Sequence, residues 1–85
     1  MGSYKLFIKP SAAKELETLP VKARGMIARK IQSLAADPRP RRSEKLSGED
    51  LYRIRQGDYR VLYDIQDKAR VIVVIKIGHR REVYR

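Results

Sequence analysis

The stretch Leu51-Tyr52-Arg53-Ile54-Arg55-Gln56-Gly57-Asp58-Tyr59-Arg60-Val61-Leu62-Tyr63 restricts the fold more than any other, because two alternating runs flank a glycine-centred break. Period two suits a strand and Gly-Asp suits a tight connection, so the stretch predicts an antiparallel hairpin. A two-residue loop (Gly57-Asp58) and a four-residue loop (Gln56 to Tyr59) give the same register: Arg55 opposite Arg60, Ile54 opposite Val61, Arg53 opposite Leu62, Tyr52 opposite Tyr63. Directly paired residues share a face. Tyr52, Ile54, Val61 and Tyr63 are therefore expected to meet a core, with Arg53, Arg55 and Arg60 together on the other side. Like charges opposed across strands destabilise a sheet by roughly tenths of a kcal/mol. A surface carrying that repulsion is suited to an anion; the bland alternative is a solvated strand face, with Asp58 and Asp64 near enough in sequence to neutralise part of it.

The rest of the chain fits around this hairpin. Tyr4 to Lys9 reads as a short strand, and Pro10-Ser11 breaks it and offers a helix N-cap. Ala12, Leu16 and Leu19 recur at helical spacing as far as Pro20, which ends this helix or opens the next. Ala23, Ile27, Ile31 and Leu34 form the stripe of a second helix, broadened by Met26 and Lys30, which stops by Asp37-Pro38. Pro38 to Ser43 is a basic connecting loop without an apolar side chain to bury. Arg70 to Ile77 is a last strand, apolar on both parities over Val71 to Ile75, as expected of a central strand covered on both faces. The order strand, helix, helix, three strands predicts an α+β domain: a small, mostly antiparallel four-stranded sheet with a helical pair on one face. At 85 residues the whole chain, 1–85, is expected to be one domain.

Charge narrows the partners. Twenty Lys+Arg against ten Asp+Glu give a formal charge of +10, which attracts nucleic acid, anionic membranes or acidic proteins. There is no cysteine and one histidine, so neither a disulfide framework nor a thiolate metal site is available, and no cofactor is expected. No run approaches the roughly 20 apolar residues that span a bilayer, and the N-terminus lacks a signal-peptide pattern. A cytoplasmic setting is expected.

Chemistry, if any, falls to arginine, lysine, tyrosine and histidine, because no Gly-rich phosphate loop, carboxylate pair or Ser/His/Asp arrangement is evident. The ending His79-Arg80-Arg81-Glu82-Val83-Tyr84-Arg85 sets an imidazole and a phenol among three guanidiniums after a Val/Ile-rich strand. A phenol titrates at about 10 in water, and neighbouring cations favour its phenolate. Tyr84 is thus a candidate base and His79 a second one, against the bland reading of a hydrogen-bonded strand-end histidine. Arg39, Arg41 and Arg42 in the loop, with Lys45, Arg81 and Arg85, are candidate RNA contacts, or else a solvated basic surface.

The order of elements, the Lys45-Leu46-Ser47-Gly48 approach, the paired stretches Leu51 to Arg55 and Tyr59 to Tyr63, and the ending Gly78 to Tyr84 resemble the RelE toxins of bacterial and archaeal toxin–antitoxin modules. The likeness covers nearly the whole chain. It implies an mRNA interferase, a metal-independent endoribonuclease that cuts messenger RNA in the ribosomal A site and is silenced by an acidic antitoxin. By position, Arg53 and Arg55 fall on basic site residues, Arg60 on the arginine gripping the scissile phosphate, Arg80 on the C-terminal catalytic arginine with Arg81 adjacent, and Tyr84 on the tyrosine that helps activate the 2′-hydroxyl. Well-known members carry lysines in place of Arg53 and Arg55, and a guanidinium gives up a proton far less readily than an ammonium. Two other readings stand beside this one: a gyrase-directed toxin of the ParE type, and a non-catalytic RNA-binding module.

Overall fold

The computed structural model describes residues 3–46 and 51–79. Within them run β1 (Lys5–Ile8), α1 (Pro10–Glu17), α2 (Val21–Ser33), β2 (Glu44–Lys45), β3 (Leu51–Gln56), β4 (Tyr59–Gln66) and β5 (Val71–His79). Pro10 opens α1 as its first residue and Lys9 takes the cap position, so Ser11 is not the N-cap expected from its side chain. Proline has its φ already set for a helix and lacks an N–H to satisfy, which favours it at the start and draws Ser11 into the first turn. Pro20 opens α2 from one position earlier, as the cap: its ψ of 148° is extended, and its carbonyl accepts the Arg24 N–H at 2.8 Å.

The sheet has the order β1-β5-β4-β3-β2, with β1 parallel to β5 and every other pairing antiparallel. It has five strands where the pattern suggested four. The added one is β2, which sets Glu44 opposite Arg53 and Lys45 opposite Tyr52. A two-residue strand leaves no period to read, and the loop composition before it points away from pairing. The hairpin register is as expected, with Arg55 opposite Arg60 and Ile54 opposite Val61. Its loop is the two-residue one, and Gly57 at φ 62° supplies the left-handed first position that such a turn needs.

Both helices lie against one face of the sheet. Ala12, Ile27, Ile31 and Leu34 from the helical layer meet Ile54, Val61, Tyr63, Ile65, Ile72, Val74 and Ile77 from the sheet. Removing such side chains from water contributes about 1.5–3 kcal/mol each, which offsets the entropy of ordering so short a chain. β5 is interior to the sheet, as its composition suggested, but it is not covered on both sides: Val71 and Val73 are only half-buried on the face away from the helices. Between Leu62 and Tyr63 the pairing skips Ile75, so the buried parity of β5 passes from Ile72 and Val74 to Ile77. That bulge explains how Ile77, on the opposite parity, is buried as well. No helix among the described residues is long and apolar enough to cross a membrane.

Tyr63 ties this core to the basic loop. Its ring is wholly buried and stacked 5.9 Å from that of Tyr52, and its hydroxyl donates to the Pro38 carbonyl at 2.8 Å. Burial pushes the phenol up to about 12. An acid whose folded pKa is raised stabilises the fold while protonated, so this contribution is complete below the ordinary value of about 10 and is lost as pH rises through about 12. Tyr63→Phe should cost about 1 kcal/mol at neutral pH and flatten the alkaline fall in stability. Urea unfolding from pH 7 to pH 12 measures both.

Candidate anion-binding site

β3 and β4 build the site by alternation. With Ile54 and Val61 turned into the core, Arg53, Arg55 and Arg60 stand on the open face, and the hairpin holds Arg55 and Arg60 directly opposite each other. Such a face needs a counter-charge. It comes from β2, whose pairing places Glu44 across from Arg53. Arg53 donates to Glu44 Oε1 from Nε at 3.0 Å and also from Nη2, and Arg55 Nη2 lies 4.0 Å from the same oxygen. The hydrogen bonds from Arg53 hold the Glu44 carboxyl below the usual carboxylate range, helped by the charges of Arg53, Arg55 and Arg60. Three guanidiniums from two strands thus bear on one carboxylate.

These guanidiniums differ in their access to solvent. The side chain of Arg53 is 13% exposed and that of Arg55 56% exposed, while Arg60 Nε is buried. Arg53 can therefore anchor a ligand from below and Arg55 can reach out toward it. Beside them opens a cavity of about 570 Å³ lined by Arg41, Arg42, Ser43, Glu44, Arg55 and Gly57. The loop candidates Arg41 and Arg42 are thereby brought to the same site.

Other candidates lie elsewhere. Arg39 is engaged toward the far end of the sheet, where both terminal nitrogens donate to Asp67 (3.2 and 2.7 Å) and Nε donates to the Tyr52 hydroxyl at 3.0 Å. Tyr4 donates to the same Asp67 carboxylate at 2.7 Å, so Arg39 serves as a clamp between the loop and the β4–β5 turn. Lys45 pairs with Tyr52 and so points from β2 toward the other face of the sheet from Glu44. His79 pairs with Tyr59, its ring edge-on at 5.8 Å, in a cavity on the helical side lined also by Glu15, Thr18 and Leu19. It is not brought to the arginine face. Arg80, Arg81, Tyr84 and Arg85 lie outside the described residues.

Sequence reasoning missed Glu44. Asp58 and Asp64 were the acids that proximity in sequence suggested, yet the acid that meets Arg53 and Arg55 arrives from a strand too short to carry a pattern. The one available signal was an acid at the end of a basic loop, just ahead of the hairpin.

The model for the ParE toxin of the type II toxin–antitoxin system parDE matches residues 6–84. The chain belongs to the RelE/ParE toxin family. Within that family its similarity is to RelE proteins. A Methanocaldococcus jannaschii protein carrying the name RelE1 is 29% identical in an alignment that covers 96% of either chain. The archaeal RelE–RelB complex of Pyrococcus horikoshii superposes with a TM-score of 0.80 at 31% identity, covering 95% of this chain and 99% of that one. The intact RelBE toxin–antitoxin complex of Escherichia coli gives 0.79 at 29% identity, covering 91% and 96%. This chain is accordingly a RelE-type toxin, with the two helices and mixed sheet of those structures.

Proposed function

We propose that this toxin is a ribosome-dependent messenger-RNA endonuclease whose phosphate site is the face formed by Arg53, Arg55 and Arg60. The observation that carries this reading is their convergence on one carboxylate, since a group of guanidiniums that orders an anionic side chain can order a phosphodiester in the same way. In the reaction a 2′-hydroxyl attacks the adjacent phosphorus and the bond to the 5′-oxygen breaks, leaving a 2′,3′-cyclic phosphate and a 5′-hydroxyl. Arg60, with Arg53 or Arg55, offsets the charge gathering on the non-bridging oxygens. Tyr84, as its phenolate, takes the proton of the 2′-hydroxyl, Arg80 offsets charge on the departing 5′-oxygen, which takes a proton from water, and the phenol then returns its proton to solvent. His79, on the helical side, is the weaker candidate base. Arg41 and Arg42 hold neighbouring phosphates, and salt should weaken these contacts strongly.

So modest an acid–base set works only on a substrate already bent into line. Orientation is worth up to several kcal/mol, and a ribosome holding the message in its A site can supply it. Mapping 5′ ends of messages in cells expressing the toxin tests the proposal. Cuts phased with codons are expected. Loss of gyrase-dependent supercoiling without such cuts would instead establish the second reading, which the ParE name of the matching family model favours.

We carry over an antitoxin partner from the relatives solved as toxin–antitoxin complexes. On a chain of charge +10 it should be acidic and should associate quickly, in a salt-sensitive manner. Phe7, Val21 and Met26, exposed on the surface, offer it apolar ground.

A further inference from the structure

Glu44 stands where the arginine face would hold a phosphate. Its carboxylate meets Arg53 and Arg55 and feels the charge of Arg60, so the groups suited to a ligand already have a ligand from their own chain. We propose that Glu44 is a resident anion, and that a phosphodiester binds this toxin by exchanging with it. Among our conclusions this one rests only on the reading of the arginine face as the phosphate site.

Three features support an exchange. First, the guanidinium gains from an anion beside it: the Arg53 side chain is only 13% exposed, and a counter-charge lowers the cost of holding it there. Second, the occupant can leave. The Glu44 side chain is 51% exposed, and it sits on an edge strand of two residues that follows a turn, so the movement disturbs little of the sheet. Ion pairs open to solvent are individually weak and are readily traded for others. Third, the adjoining cavity of about 570 Å³ borders Glu44 and is open to water, so the released carboxylate can swing out and hydrate while Arg41 and Arg42 take neighbouring phosphates. A phosphodiester offers the arginines two anionic oxygens in place of two carboxylate oxygens, and so can satisfy the same donors.

Exchange has a signature that a rigid ion pair lacks. A site closed by its own carboxylate binds an outside anion more weakly in proportion to the fraction of time it is open. Protonating Glu44 withdraws the competitor, so anion binding should tighten as pH falls into the carboxylate range. The charged groups facing Glu44 are Arg53 and Arg55 from β3, Arg60 from β4, and Arg41 and Arg42 from the loop, and all of them keep their charge there.

The test uses full-length toxin and a fluorescent 2′-O-methyl oligouridylate, which has no 2′-hydroxyl to attack and no base that titrates between pH 3 and pH 8. Glu44→Gln should bind it about tenfold more tightly at pH 7, and the gain in affinity between pH 7 and pH 3 should be larger for the wild type than for the variant. In the wild-type toxin, carbon-13 NMR of the Glu44 carboxyl should show its titration midpoint rising toward the ordinary value when the oligonucleotide saturates the site. Equal or weaker binding by the variant overturns the proposal, as does a midpoint that stays depressed in the complex; the second measurement needs no variant to fold. Because the probe cannot be cut, failure here leaves the nuclease reading standing, and absence of message cleavage would leave the exchange standing.

Discussion

Arg60→Ala should lower the rate of message cleavage on translating ribosomes by about 10²–10³-fold, the usual cost of removing one preorganised donor from a developing oxyanion. Arg60 is the member of the cluster contributed by β4, directly opposite Arg55, with Nε buried and a charge that Glu44 feels. Its geometry is fixed by the hairpin and needs no rearrangement as charge develops. The same change should leave the fold almost untouched. It removes a repulsion across the strand pair while giving up the packing of the arginine stem, and these opposed effects leave stability within about 1 kcal/mol of wild type. Arg60→Lys should restore only part of the rate, because a point charge replaces a two-pronged donor. Single-turnover cleavage in a reconstituted translation system, with urea unfolding alongside, measures both quantities. Rates near wild type for the alanine variant would remove Arg60 from the chemistry.

Ile54→Ala should show the opposite pattern, costing about 2–5 kcal/mol of stability while sparing the chemistry of each folded molecule. Ile54 is 1% exposed and sits between Arg53 and Arg55 on β3, so its side chain is the peg that keeps both arginines on the open face. The cavity left behind is bounded by both layers of the core and cannot collapse without moving the sheet. For a small domain stable by about 5–15 kcal/mol, that is a large fraction of the total. Urea unfolding should show the loss directly. Cleavage per folded molecule should be retained at low temperature and fall as the unfolded population grows. A stable variant with a slow rate would mean that Ile54 acts on the site itself.

The hairpin was legible because two devices agree: alternation fixed which side chains share a face, and the glycine fixed the loop, so the Arg55–Arg60 opposition follows without any long-range information. The second helix was legible for a similar reason, since its stripe of Ile27, Ile31 and Leu34 is long enough to show a period. What could not be read depends on pairing between distant segments. Glu44 reaches Arg53 only because a two-residue strand adds to the sheet edge. His79 follows the parity of Tyr59 to the helical side, and a one-residue bulge at Ile75 sets that parity. Arg39 looks interchangeable with Arg41 and Arg42 in a basic loop, yet the position of Asp67 past the end of β4 claims it for a clamp. Local pattern gives the faces of each strand; which loop charge meets which face depends on the turns between them.

The parallel pairing of β1 with β5 bears on how such a toxin is made. Lys5 to Ile8 find their sheet neighbour in Val71 to Val74, near the opposite end of the chain. The first strand to leave the ribosome therefore waits for the last one before it can be knitted in, and contacts so distant in sequence form late. Until β5 has been made, β1 lacks the neighbour it takes in the finished sheet, so a partly synthesised chain holds the arginine hairpin in an incomplete sheet.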